Sequence, residues 1–272
     1  MAKKRVTEYK NFDIEELQKA VNDIADEIAE NQYDTVLAYL GDKINRLNEV
    51  LAKKGFMSIH DFREIFGIAF SENMTAKMET VIALSTSCLA NRRCLARMQD
   101  GDSICAFCFS AALQMFKKGV RENTIQNFKI LNEVIIPAKY WPQVCNDMLR
   151  FEAFGDLYTW KQVANYFNCC KANKSTDCAL WSKNPDIIAD AIERGFRKPK
   201  NVQIVYSSPK VNTIADAEAI FAKYPFIDKI FTVFDGEFIK KNGVVINCGG
   251  RSCRGCKRCY KPGKGLVNEE LK

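Results

Sequence analysis

Histidine is almost missing: His60 is the only one in 272 residues. That scarcity removes hydrolases built on a histidine base and leaves no histidine-rich metal site. His60 itself lies far along the chain from the grouped cysteines and reads as a surface or packing residue. The sequence also lacks a Gly-rich loop of P-loop spacing and a serine-nucleophile motif. No apolar run approaches the ~18 residues of a membrane span. The charged start "MAKKRVTEYK" has no apolar stretch behind it, so no signal peptide is expected. A soluble, cytoplasmic protein is the expectation. Its thiols should then be reduced or metal-bound rather than paired as disulfides.

What the sequence has in excess is cysteine, with twelve, and positive charge at one end. The composition, 47% hydrophobic and 27% charged, is that of a globular chain with a real core and argues against disorder. From Lys240 onward there are nine Lys or Arg against two acids, while the preceding 239 residues hold 31 of each and balance. The surplus therefore surrounds the last four cysteines. Four thiolates on one metal centre leave about −2 of charge, which nearby cations would offset. The same patch also suits nucleic-acid phosphates, with Arg251, Arg254, Lys257 and Arg258 as positioning residues.

Residues 12 to about 72 carry helical periodicity. Ile14, Leu17, Val21, Ile24 and Ile28 recur at three- and four-residue steps. A second helical stretch follows from "YDTVLAYL", with Asp34 as its expected N-cap, and a third begins at Ser58. From about residue 79 the rhythm becomes strand then helix. The expected strands are "TVIALST", "MLRFEAF", "DCALWS", "VQIVYS" and "KIFTVF", with a sixth, "GVVIN", leading into the tail. Such alternation predicts parallel strands with helical crossovers, an open α/β sheet or partial barrel. Chemistry in such folds gathers at the C-terminal strand ends, where Cys88, Lys183 and Asp235 fall. The last two are candidate substrate contacts.

The tail cysteines run Cys248-x4-Cys253-x2-Cys256-x2-Cys259. Three at every third position resemble the ferredoxin loop that wraps a four-iron cubane, whereas zinc sites more often use two separated knuckles. Gly249, Gly250 and Gly255 would let backbone amides approach cluster sulfurs. The upstream group runs Cys88-x5-Cys94-x10-Cys105-x2-Cys108, and its C-x-x-C pair is a metal half-site that does not name the metal. Cys145, Cys169, Cys170 and Cys178 are expected to be small buried hydrophobes.

Placed after a first barrel strand, "ICAFCF" resembles the cluster loop of radical S-adenosylmethionine enzymes, in which three cysteines hold a [4Fe-4S] cluster and the cofactor takes the open iron. The usual spacing there is C-x3-C-x2-C; here Cys94 stands ten residues before the pair, so either Cys88 or Cys94 completes the set. "LRFEAFGDLYTW" resembles that superfamily's Gly-Gly-Glu region. The resemblance implies Glu152 or Asp156, beside Gly155, as acceptor for the cofactor's amino group. "VQIVYSSP" is similar to its ribose-contacting strand, which implies Ser207 or Ser208. The order of these pieces with "ALSTSCLANRRC", "ALWSKNP" and the tail, over about residues 73 to 260, resembles the phage gene product eighty-eight family. That family implies a bacterial host cytoplasm and supplies no reaction.

The expected architecture is an N-terminal helical region (1–78), a partial (β/α) barrel (79–239) and a cysteine-rich basic tail (240–272). The leading functional expectation is an iron–sulfur protein with one cluster at the barrel mouth, an auxiliary cluster in the tail, and S-adenosylmethionine as a further cofactor if it is an enzyme. The alternatives are a zinc protein that contacts nucleic acid, and a barrel whose clusters serve structure or electron transfer alone. No membrane partner is expected.

Overall fold

The computed structural model describes residues 4–271. Its N-terminal part is four helices: α1 (Ile14–Glu30), α2 (Val36–Leu40), α3 (Lys43–Lys54) and α4 (Ile59–Phe66). Asp13 caps α1 by accepting from the amides of Glu15 and Glu16, which satisfies donors that have no partner within a first helical turn. The second helical stretch is broken in two at Gly41, whose φ of +50° no side-chain-bearing residue adopts cheaply. Its N-cap is Thr35, which accepts from Ala38, and not Asp34. Ser58 caps α4 as expected, in a reciprocal arrangement with Asp61. His60 is exposed on that helix.

Beyond residue 78 come β1 (Ile82–Leu84), α5 (Arg92–Gln99), α6 (Phe109–Phe116), α7 (Lys118–Glu133), β2 (Met148–Phe151), α8 (Trp160–Ala172) and β3 (Asp177–Ser182). The chain continues through α9 (Pro185–Glu193), β4 (Val202–Ser207), α10 (Ala217–Lys223), β5 (Lys229–Phe234), α11 (Gly236–Asn242), the one-turn α12 (Cys253–Cys256) and β6 (Gly265–Glu270). The strands lie in the order of the chain and every neighbouring pair is parallel. Parallel crossovers are right-handed with few exceptions. An order that never reverses therefore sends the crossover helices α7, α8, α9 and α10 to one face. A doubly wound sheet would reverse direction at a switch point. This α/β sheet is wound one way, the arrangement of a partial barrel.

Strand alternation sorts the side chains accordingly. Ile82, Leu84, Leu149, Phe151, Cys178, Leu180, Val202, Ile204 and Ile230 point toward the helices and share one core with α2–α4, α7, α8 and α9. Val81, Met148, Ala179, Val205, Phe231, Val233 and Val267 point the other way and are buried beneath tail residues Cys248, Cys253, Cys259 and Tyr260. The tail thus lines the inner face.

The sixth strand corrects the sequence-based expectation. "GVVIN" is not a strand, and Val245 is largely exposed. The strand follows the cysteines, at Gly265–Glu270, where it pairs with β5 over six residues. As an edge strand with a single neighbour it tolerates Glu269 and Glu270, which disguised it. No described helix is long and apolar enough to cross a membrane.

Candidate metal centres

The upstream cysteines come together through a helix that the sequence did not announce. After β1 the chain turns at Asn91, whose side chain caps α5 and whose amide donates to the carbonyls of Asp156 and Leu157. Helix α5 folds the long Cys94–Cys105 interval back on itself, so the departure in spacing is absorbed by two helical turns. Ser103 and Ile104 then strap the loop to Pro209, just past β4. Cys108 ends this loop as the residue preceding α6.

Within the group, Cys88 and Cys94 are buried and Cys105 and Cys108 half-buried. Burial pushes the Cys88, Cys94 and Cys105 thiols up, and each of the three also feels Cys108. Cys108 is held below the ordinary thiol value, first by contact with the Cys88 thiol and then by the Ala111 and Ser110 amides at the start of α6. Gln114 donates to Cys88 Sγ at 3.3 Å and is itself fixed by Ser87 and Thr124. Cys88 and Cys94 both lie in the neighbourhood of Cys108.

The cation of this group is Lys183, which follows β3. Burial works against its ammonium, yet Cys105, Asp156 and Cys94 hold its pKa above the ordinary lysine value. Among the described residues it makes no ion pair, and Asp156 is taken by Arg97 at 3.2 Å.

In the tail, burial pushes Cys248, Cys253 and Cys259 up, Cys259 to about 12. Arg150 opposes this at Cys253 and Cys259, and Lys77 at Cys248 and Cys253. Ser252 caps the α12 turn between Cys253 and Cys256, and Lys257 closes it in the left-handed region at φ +53°. Cys248 bridges to Glu269 of β6, which pairs with Lys77. Arg254 and Lys257 both reach Asp147, at 3.2 and 3.3 Å. Two of the four cations read as phosphate contacts therefore dock the tail. Arg251 and Arg258 are exposed.

The thiols are grouped without converging on a point: among the described residues no set of three or more His, Cys, Asp or Glu side chains stands ready to hold a metal ion. The donor chemistry nevertheless fits a thiolate-bound centre in each group. Eight cysteines, none in a disulfide, lie in two sets of four, each with a cation that makes no ion pair among the described residues.

The residues expected to contact S-adenosylmethionine behave differently. Glu152 is buried at the end of β2, in the left-handed region at φ +59°. Its carboxylate accepts from Thr86 Oγ1 at 3.0 Å, Gln162 Nε2 at 2.6 Å and Tyr166 OH. Asp156 accepts from Ser182 Oγ at 2.6 Å, the Lys183 amide and Arg97. Gly155 packs on this knot: a Cβ there would stand 2.4 Å from the Thr86 carbonyl oxygen and 2.7 Å from Glu152 Oε2. All three serve the loop architecture, and both carboxylates are saturated, so they do not fit an added ammonium. Ser207 is buried on the inner face and Ser208 donates to the Lys210 carbonyl. Asp235 caps α11 by accepting from the Phe238 amide. Cys169, Cys170 and Cys178 are buried as expected, whereas Cys145 is exposed.

Four functional candidates escaped sequence reasoning: Arg150, Trp181, Gln203 and Tyr260. The available signal was an arginine inside "MLRF", a strand buried on both faces.

Comparison with known protein families, curated proteins and solved structures gives no match in any of the three.

Proposed function

We propose that this chain is an iron–sulfur protein with two thiolate-held clusters, one at the sheet rim beside α6 and one in the tail, on a partial barrel resembling that of radical S-adenosylmethionine enzymes. One observation carries the reading. Each four-cysteine group has beside it a cation that makes no ion pair among the described residues: Lys183 upstream, where Asp156 lies near but pairs with Arg97, and Arg150 in the tail. Taking a charge from water without a counter-charge costs several kcal/mol. Neutral thiols offer no such counter-charge to Arg150, and upstream only Cys108 is held low; metal binding deprotonates the others. Arg150 and Lys183 are therefore suited to the metal-loaded state.

Zinc in the same thiolates would meet the charge argument equally. Iron–sulfur is preferred because the close tail spacing resembles a cubane loop. A four-iron cluster would supply one-electron chemistry, and the chain would hold and tune it. The saturated Glu152 and Asp156 favour clusters that serve structure or electron transfer over S-adenosylmethionine cleavage. Membership of the phage gene product eighty-eight family is proposed from motif order alone. The second reading, a zinc protein contacting nucleic acid, keeps exposed Arg251 and Arg258 as its support. Strongly salt-dependent nucleic-acid binding would favour it.

The test uses anaerobically purified protein. C105S and C256S should each remove about half of the bound metal, and neither should empty the other centre. Full metal content in both variants would overturn the two-site reading.

A further inference from the structure

The inner face of the sheet holds a concentration of polar atoms that make no hydrogen bond. Arg150 Nε, Trp181 Nε1, Gln203 Oε1 and Tyr260 OH are all buried without a partner among the described residues. Buried polar atoms in native proteins are paired in roughly nine cases of ten. Four orphans in one place therefore ask for a common explanation. They do share a place. Arg150 and Gln203 sit on either side of Ala179 in one row across β2, β3 and β4. Tyr260 packs on Ala179 and Met148, beside Trp181, Cys253 and Cys259. Gln203 and Tyr260 are each only 4% exposed.

Three of the four are donors, and one of these carries a full charge. The Arg150 guanidinium stacks on the Trp181 ring, 4.1 Å from its centre, and its Nη1 meets only the Met78 sulfur, at 3.3 Å. No described carboxylate pairs with it. Trp181, on which it stacks, packs in one cluster with Cys253, Cys259 and Tyr260 of the tail.

We infer that Arg150 is the internal counter-cation and Nε–H donor of the tail centre, with Trp181 fixing its plane and Tyr260 offering a second donor. The inference rests on the tail holding a metal–thiolate centre, since only there do sulfur acceptors of negative charge arise. Arg150 is a positioning and tuning residue and not a ligand. Without metal its charge is uncompensated, so the same side chain that steadies the loaded tail burdens the empty one.

That opposition of signs gives the test. R150M keeps an apolar stem beside Trp181 but removes the charge, the donors and the guanidinium stacking. The as-purified metal should leave R150M to a chelator at least tenfold faster than wild type, the low end of the 10–100-fold seen when outer-shell partners are lost. The metal-free R150M protein should melt no lower than metal-free wild type. R150K, with charge but without Nε–H, should fall between the two in release rate. Placed in the C256S background, R150M should not alter metal content further. Equal release from wild type and R150M overturns the role of Arg150 while leaving the metal reading intact. Lower melting of metal-free R150M and R150K alike makes Arg150 a structural residue and overturns the inference. If C256S holds as much metal as wild type, the tail has no centre and the inference falls with it.

Discussion

At the scale of single residues, Glu152 shows how this protein spends a carboxylate. Burial pushes it up to about 7 from an ordinary 4.5, against hydrogen bonds from Tyr166 and Thr86 that pull it down. The folded state therefore favours the protonated form. The associated stability is fully present below about pH 4.5 and is lost as pH rises through about 7. It amounts to up to about 3 kcal/mol. Glu133, raised to about 7 first by burial and then by Glu27, adds a slope of the same sign. E152Q should accordingly lessen, without abolishing, the loss of urea resistance between pH 5 and pH 8; an unchanged slope would remove Glu152 from the account. G155A should cost about 3 kcal/mol by urea unfolding, since its Cβ would collide with backbone and a buried carboxylate. Residue-level legibility was mixed for a physical reason. Sequence spacing identifies which residues are cysteine or acid, but it does not say which donors have already claimed an acid. Glu152 and Asp156 were legible as chemistry and proved committed to the loop, while Arg150 was passed over because its strand read as apolar.

At the scale of elements, five strands were visible because β-branched and aromatic runs separated by helical periodicity leave little choice. The sixth was misplaced because an apolar stretch, "GVVIN", outscored the half-acidic edge strand that the sheet uses. Helix α5, with three arginines in its eight residues, was hidden by its charge, although it is what gathers Cys94 toward Cys105. The tail element carries its own prediction. A chain ending at Gly243 would lose β6 and uncover Val205, Phe231 and Val233. It should bind a hydrophobic dye strongly and unfold at lower urea than the full chain. A truncated protein as stable as the full chain would mean that the tail is an appendage and not part of the sheet.

At the scale of the whole molecule, one-way winding leaves a sheet with two unlike faces. The outer face is covered by helices, and the inner face is closed by a thiol-rich segment whose Arg254 and Lys257 are drawn onto Asp147 and whose Lys264 donates to the Pro225 and Ile227 carbonyls. Ile104 of the upstream loop and Cys248 and Cys259 of the tail all pack, with Trp181, against one buried cluster, so both thiol groups border one apolar patch. Sulfur ligation at both is what the proposed function requires. The most direct measurement is iron and acid-labile sulfide per chain in protein purified without oxygen. Two four-iron clusters predict about eight of each; a colourless protein carrying zinc, or no metal, would contradict the account.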